Sequence, residues 1–226
     1  MKRLPVAVMA AGLVLLVAGC DGGAATTPDA EPVPAGPADP RQAVVDLLEA
    51  LGGEDVARAV DLTVPGQGLA VAVAEQAPAD ELGAILDGGS RAVLANFWSS
   101  FATSVEELSG AGTADIDVGE AGDPFEVGDH RFAIVGMEVP GQAGPRSMIV
   151  REGRGWKVDV VATFAPGLAT GIGQAPQELA GAEGGEPIIE RMVAERPALE
   201  AALEDPALPP GVAQQIRSAV VALGGR

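Results

Sequence analysis

The spacing of apolar residues changes along the chain, and this change limits the available folds more than any other feature. Between residues 40 and 112, apolar side chains recur at intervals of three and four, which is the spacing of one helix face. From Gly112 to Phe164 they alternate with polar residues, as in a half-buried strand. Helices followed by strands in this order predict an α+β fold, with the helices packed on an antiparallel sheet.

The first predicted helix has clear boundaries. Asp39 is a suitable N-cap, Pro40 suits the first turn, and Gln42 completes a capping pattern. The pair of glycines at 52–53 ends the apolar period. Further helices are predicted over residues 54–62, 78–89 and, with Ser90 as the cap, 91–110.

Turn sequences divide the second half of the pattern into four predicted strands. These are residues 113–119, 130–139, 146–152 and 155–164. Residues 165–186 are predicted to form a loop with at most a short helix, whereas 187–206 and 209–225 are predicted to be helical. The expected fold class is therefore α+β, with N-terminal helices on a curved antiparallel sheet and a helical C-terminal extension over residues 165–226.

The first 20 residues have the features of a secretion signal. Lys2 and Arg3 precede an apolar run, Leu4–Gly19, which is 16 residues long and shorter than the roughly 20 that span a membrane. The sequence "LVAGC" at 16–20 resembles the lipobox of bacterial lipoproteins, in which leucine and small residues precede a cysteine. Cys20 is also the only cysteine of the chain.

The lipobox resemblance implies that residues 1–19 are a signal peptide and that a diacylglyceryl group is attached to the sulfur of Cys20. Two acyl chains anchor a protein stably, which one chain does not. Residues 20–39 would be the lipidated cysteine and a disordered tether, since they are rich in proline and small residues. The expected location is the extracytoplasmic face of the cell membrane. The alternative is a secreted protein in which Cys20 is incidental.

Charge and cysteine content exclude several classes of partner and site. Without residues 1–20 the formal net charge changes from −18 to −20. Such a charge opposes binding to nucleic acid and to anionic lipid head groups. Once Cys20 carries lipid, no cysteine is left for a disulfide or a thiolate metal site.

The order of elements over residues 40–164 resembles an NTF2-like domain of the cystatin-like superfamily. The segments "AVVDLLEALGGEDVARAVDL" and "GWKVD" stand at corresponding places in the small-lipoprotein members of that family. The resemblance implies that helices and a curved sheet form a cone with an apolar pocket. Family members use this pocket for catalysis, for binding small ligands, or simply as a filled core.

Apolar residues of the long helix and of the last predicted strand are the candidates for lining this pocket. The candidate ligand-binding residues are Leu94, Phe97, Trp98, Phe101, Trp156, Val158 and Val160. Aromatic residues at helical spacing are more often core than binding site, so a side-chain-filled cone remains an alternative.

No catalytic constellation is predicted. His130 is the only histidine, but Asp129 beside it would point to the opposite face of a strand. Asp115, Asp117 and Glu126 match three ligand positions of a calcium loop, yet the position that requires glycine is occupied by glutamate. A solvated acidic hairpin explains these residues better, and no metal or cofactor is expected.

The sequence therefore favours a lipid-anchored, non-enzymatic module that binds a partner protein or a small apolar ligand. The first alternative is an NTF2-like enzyme that uses His130 or one of the carboxylates Asp115, Asp117 and Asp159. The second alternative is a purely structural envelope protein. An inward-facing carboxylate beside a buried polar partner would favour the enzyme.

Overall fold

The computed structural model describes residues 35–224, in which helices surround an open antiparallel sheet. The helices that precede the sheet are α1 (Pro40–Gly52), α2 (Val56–Asp61), α3 (Gly68–Ala74), α4 (Ala79–Ala84) and α5 (Ser90–Ser109). Those that follow it are α6 (Val160–Thr163), α7 (Ala165–Glu178), α8 (Gly185–Ala194), α9 (Arg196–Ala202) and α10 (Pro210–Gly224). The predicted α+β class is confirmed. Among the helices of residues 35–224, none has the length and hydropathy that a membrane span requires.

The part of the chain that the structure describes forms a sheet of five strands. The strands are β1 (Asp117–Ala121), β2 (Phe125–Val127), β3 (His130–Glu138), β4 (Arg146–Gly153) and β5 (Gly155–Val158). Their order is β1-β3-β4-β5, in which β3 pairs with β1, β2 and β4. The pairing of β1 with β3 shifts register between Val118 and Ala121, and β2 pairs with the first residues of β3. Ile134 lies opposite Ile149 in the β3–β4 pair.

The first helix begins and ends as predicted. The Asp39 carboxylate accepts a hydrogen bond from the backbone N–H of Gln42 at 3.0 Å, and Gly53 follows the last turn. The buried residues of α1 include Val44, Leu47 and Leu48, which contribute to the main core.

The helical half differs from the prediction at one missed helix and one wrong cap. Helix α3 was not predicted, because all residues from Gly68 to Val73 are buried and no polar face marks the helix. Ser90 does not cap α5, because a π-helical turn, Ile85–Gly89, leads directly into that helix. The Ser90 hydroxyl oxygen instead accepts a hydrogen bond from the backbone N–H of Gly68 at 3.0 Å.

The predicted boundaries of the outer strands also need correction. The segment 113–119 begins with a 3₁₀ turn, Thr113–Asp115, in which the Asp115 carboxylate accepts a hydrogen bond from the Gly112 N–H. Strand β1 therefore starts only at Asp117. Strand β2 was not predicted, since three residues are too few to show an alternation.

The last predicted strand, 155–164, ends at Val158 rather than Phe164. Asp159 caps α6, because its Oδ1 accepts a hydrogen bond from the Ala162 N–H at 2.9 Å. Val160 therefore lies in a helical turn and not on the sheet face that it was expected to share with Trp156. Lys157 and Asp159, which flank Val158, are both buried.

The segment 165–186, predicted as a loop, contains the 14-residue helix α7. Its glycines allow close helix packing, since a Cβ at Gly171 would lie 2.6 Å from Ala74 Cα and one at Gly173 would lie 2.9 Å from Ala219 Cα. The helices predicted beyond this segment are confirmed. Pro197 falls where α8 gives way to α9, and α10 buries Ile216 and Leu223.

Candidate functional site

The structure places the seven predicted pocket residues at two different depths. Trp98, Val158 and Val160 are each 0% exposed, and Leu94 and Trp156 are also buried. These five side chains belong to the main core. Phe97 and Phe101, on the same helix as Leu94 and Trp98, are only half-buried and face open grooves.

Trp98 is held in the core by a hydrogen bond as well as by packing. Its Nε1–H donates to Thr63 Oγ1 at 2.9 Å, and the Thr63 hydroxyl donates to the Ala59 carbonyl at 2.9 Å. Thr63 forms an isolated bridge with Val158, so this hydroxyl connects α5 to the end of β5. The polar atom of this fully buried tryptophan is therefore satisfied, as buried polar groups generally are.

Four aromatic rings form one cluster at the base of these grooves. Phe164 packs edge-on against Phe97, Phe101 and Trp98, with ring centroids 4.9, 5.7 and 5.9 Å away. Edge-on pairs of this kind add to the stabilisation that burial provides. Phe164 was not among the predicted pocket residues, although it ends the predicted strand that supplied three of them.

The apolar groove lies between the C-terminal half of α5 and the face formed by β3 and β4. It has a volume of 360 Å³. We call it the apolar groove because most of its lining is apolar. The apolar residues of the lining are Phe101, Val105, Leu108, Ile116, Met137, Val139, Met148 and Phe164. Leu108 is 74% exposed, whereas Val105, Met137 and Met148 are buried, so the groove has a packed floor and an open side.

Polar side chains line only part of the apolar groove. These are Ser104, Gln142, Arg146, Ser147 and Thr163. Thr163 and Ser147 are already bonded, Thr163 to the backbone of Ile149 and Ser147 to the Asp205 carboxylate. Arg146 Nη2 donates only a long hydrogen bond, 3.4 Å, to Gln142 Oε1. Within residues 35–224, no carboxylate oxygen lies within 4.0 Å of the Arg146 side-chain nitrogens.

A second groove opens on the Phe97 side of the aromatic cluster. It has a volume of 390 Å³, and Phe97 and Phe164 line it together with Leu168. Glu75 also lines this groove. Phe164 therefore separates two surface grooves, one on either side of the aromatic cluster.

Two of the three acidic residues considered for calcium lie in a more polar groove of 560 Å³ on the sheet edge. Asp115 and Asp117 line it together with Glu138 and the loop over 139–145. Asp117 is directly opposite Glu138 in the β1–β3 pair, and Glu126 is on a different strand. Within residues 35–224, no group of three or more histidine, cysteine or acidic residues is placed to hold a metal ion.

His130 is separate from the apolar groove. It begins β3, opposite Val127, and its ring packs edge-on against Phe132 with a centroid distance of 6.3 Å. The side chains that line the apolar groove do not include it. Cys20, the predicted lipid attachment point, lies outside the described residues.

A buried polar network that the sequence did not predict joins α3, the end of β5 and α8. Gln67, Asp159 and Glu195 are all 2% exposed or less. Gln67 Nε2 donates to Asp159 Oδ1 at 2.8 Å and to Glu195 Oε2 at 3.0 Å. Gln67 Oε1 accepts a hydrogen bond from the Val160 N–H at 2.8 Å.

Two guanidinium groups balance the two carboxylates of this network. Arg191 Nη2 lies 2.9 Å from Glu195 Oε1, and Arg151 Nε lies 3.1 Å from Asp159 Oδ2. The second contact is an ion pair without hydrogen-bond alignment, so Asp159 Oδ2 has no aligned donor among the described residues. Burial, and then the neighbouring Asp159 carboxylate, raise the pKa of Glu195 above its usual value.

The buried network also positions the floor of the apolar groove. Asp159 and Gln67 accept the first backbone N–H groups of α6, and α6 carries Thr163 and leads directly into Phe164. Of the three carboxylates considered for catalysis, only Asp159 lies in this network. Its cap pattern, an aspartate three residues before Ala162, is the one local signal that could have revealed the network.

Compared with protein-family models, curated proteins and solved structures, the chain matches none of them. Function is therefore inferred from the geometry of its own residues.

Proposed function

We propose that this chain is a lipid-anchored module on the extracytoplasmic face of the cell membrane, without enzymatic activity, that binds a small apolar ligand in the apolar groove. A partner protein is the alternative occupant. The observation that carries the proposal is the groove itself, whose 360 Å³ lies within the range of small-molecule sites. Its mostly apolar lining, with few polar groups, is also typical of such sites.

The NTF2-like interpretation of residues 40–164 is part of this proposal. It is supported by helix α1, which packs on β1, β3, β4 and β5, and by the apolar groove, which separates the long helix α5 from the sheet. In this interpretation α7 to α10 are a helical C-terminal extension. The buried hydrogen bond from Gln67 to Glu195 then attaches the extension to the cone.

A matched pair of exposed residues tests binding in the groove. Leu108 and Val221 are 74% and 71% exposed, but only Leu108 lines the apolar groove. With the neutral hydrophobic dye Nile red as the probe, Leu108→Glu should weaken binding at least about tenfold, because a charge in an apolar site is costly. Val221→Glu should leave it unchanged. Equal effects of the two substitutions, or no dye binding by the wild type, would contradict the proposal.

Native mass spectrometry on the protein released from its own host membrane addresses the natural occupant. A bound mass of a few hundred daltons that is lost on denaturation supports a small ligand, since a groove of 360 Å³ is at the small end of small-molecule sites. A bound polypeptide would favour a partner protein. A bare chain would favour the purely structural alternative.

The anchor has its own test. Cys20→Ser should move the protein from the membrane fraction to the soluble fraction, because the acyl chains would have no attachment point. Ser147→Ala, which leaves Cys20 intact, should stay with the membrane. Retention of the Cys20→Ser protein in membranes would contradict lipid anchoring.

Asp159 provides a specific observation in favour of the enzyme alternative. It is an inward-facing carboxylate with buried polar partners, Gln67 and Glu195, and such pairs occur at catalytic sites. Labelling of carboxylates with a water-soluble carbodiimide and an amine separates the two functions. A non-catalytic network predicts that Asp117 is modified in the folded protein while Asp159 is protected. Rapid modification of Asp159 would favour the enzyme.

A further inference from the structure

Among the described residues that line the apolar groove, one carries an ionic group, and this group is the guanidinium of Arg146. Strand alternation places Arg146 and Met148 on the same face of β4, and Met137 of β3 lies directly opposite Arg146. The guanidinium therefore stands at the end of an apolar surface rather than apart from it. Arg146 is exposed, so a ligand can reach it from solvent.

Arg146 also has no carboxylate partner among residues 35–224, although the protein is strongly acidic. The formal net charge is −18, and several arginines of residues 35–224 form ion pairs. These are Arg58, Arg91, Arg131, Arg151, Arg191 and Arg196. Arg146 has only the 3.4 Å bond to Gln142, another residue of the groove lining. An arginine in this state can pair with a ligand carboxylate through two parallel hydrogen bonds.

Carboxylates beyond Arg146 restrict the charge of the ligand. Asp117, Glu120 and Glu138 line the neighbouring groove of 320 Å³ together with Arg146. They repel a group with several negative charges more strongly than a group with one charge. These neighbouring carboxylates therefore favour a ligand with a single carboxylate over a ligand with a phosphate.

We propose that the apolar groove binds an amphiphilic monocarboxylic acid of the free fatty acid type. Its hydrocarbon chain lies between α5 and the sheet, and its carboxylate pairs with Arg146. This inference rests on the proposed function and names the chemical class of its ligand.

Decanoic acid and 1-decanol, which share a hydrocarbon chain and differ in charge, test this proposal by displacement of Nile red. In the wild type, decanoic acid should displace the dye at a concentration about tenfold lower than decanol, as expected for one charge-assisted pair. Arg146→Gln should abolish this preference and retain decanol binding. Arg217→Gln removes the charge of an exposed arginine on α10 that does not line the groove, and should behave as wild type.

The outcomes separate the two proposals. The acid-binding inference is wrong if the dye and decanol bind at the groove but the acid is not preferred over decanol. It is also wrong if Arg146→Gln keeps the preference for the acid. In both cases the apolar-ligand function stands. If neither the dye nor the acid binds, both are wrong.

Discussion

Gln67 Nε2 lies 2.8 Å from Asp159 Oδ1, although 92 residues separate the two positions in the chain. The same nitrogen lies 3.0 Å from Glu195 Oε2. One side-chain amide thus joins α3, the end of the sheet and the junction of α8 with α9. Because all three side chains are buried, water cannot replace these hydrogen bonds without opening the structure.

Replacement of this amide should be among the most destabilising single changes. Gln67→Leu conserves shape but leaves the Val160 N–H without a partner and removes one hydrogen bond from each of two buried carboxylates. We expect the free energy of unfolding to fall by about 3 kcal/mol, since each unsatisfied buried group costs roughly 1–3 kcal/mol. Urea denaturation measures this change. Gln214→Leu, on the exposed face of α10, is the control and should change stability by less than about 0.5 kcal/mol.

Glu195 should make stability depend on pH. Its folded-state pKa is raised above 4.5, so the native state binds its proton more readily than the unfolded state in the interval above 4.5. The free energy of unfolding should therefore fall as pH rises through that interval. In Glu195→Gln this contribution is absent, and the fall should be smaller. The measurement is urea denaturation at pH values from below 4.5 to above neutrality.

The control for the pH experiment is Glu178→Gln, because Glu178 is exposed on α7. Its pH profile should follow that of the wild type. Parallel profiles of the wild type and Glu195→Gln over the whole interval would contradict the raised pKa of Glu195.

The hydrogen bond between Trp98 and Thr63 should be measurable as a coupling energy. Trp98→Phe removes the donor of this hydrogen bond and leaves a space where the larger ring was. Thr63→Val removes the acceptor and leaves the buried Trp98 Nε1–H unsatisfied. A double-mutant cycle in urea should give about 1 kcal/mol of coupling. Thr103→Val is a matched control, because its hydroxyl bonds a carbonyl four residues earlier, as Thr63 does, but on an exposed surface. Additive effects at positions 63 and 98 would show that the bond contributes nothing.

Two glycines of α7 should respond to alanine with opposite signs. At Gly171 the new Cβ would lie 2.6 Å from Ala74 Cα, so α3 and α7 must move apart, at a cost of about 1–3 kcal/mol. At Gly167 no atom lies within 4 Å, and alanine should stabilise the helix by roughly 0.5–1 kcal/mol. Thermal unfolding of the two variants tests this. A stabilised Gly171→Ala variant would contradict the close packing of α3 and α7.

The sequence predicted best those elements whose ends are marked by local chemistry. Asp39 and the glycines at 52–53 define α1, and the regular alternation of β3 and β4 defines the centre of the sheet. These signals are local because a cap or a half-buried strand depends on few neighbours. The α+β class followed from them.

The elements that sequence reasoning missed depend on distant neighbours. The run "GLATGIG" at 167–173 resembles a flexible loop by composition, yet its glycines lie in a helix against α3 and α10. Asp159 had been placed on a strand, and its partner Gln67 lies in no recognisable motif. Tertiary packing overrode local propensity at both places.

The candidate site was predictable only in part for the same reason. The aromatic residues of α5 were identified from their spacing, and Phe101 does line the apolar groove. Phe164 and Arg146 were not predicted, because their place in the groove depends on where a strand ends and on which residues lie opposite each other in the sheet. Such pairings are tertiary information.

The start of the described chain is itself attached to the sheet. The Gly36 N–H donates to the Arg154 carbonyl at 3.0 Å, and the Pro37 carbonyl accepts from the Trp156 N–H at 2.7 Å. A Cβ at Gly36 would lie 2.2 Å from the Trp156 carbonyl oxygen, so a larger residue does not fit there. A mechanical force that pulls on the N-terminal segment would therefore load the backbone of β5 before it reached α1. Under tension, these two hydrogen bonds would be the first to resist.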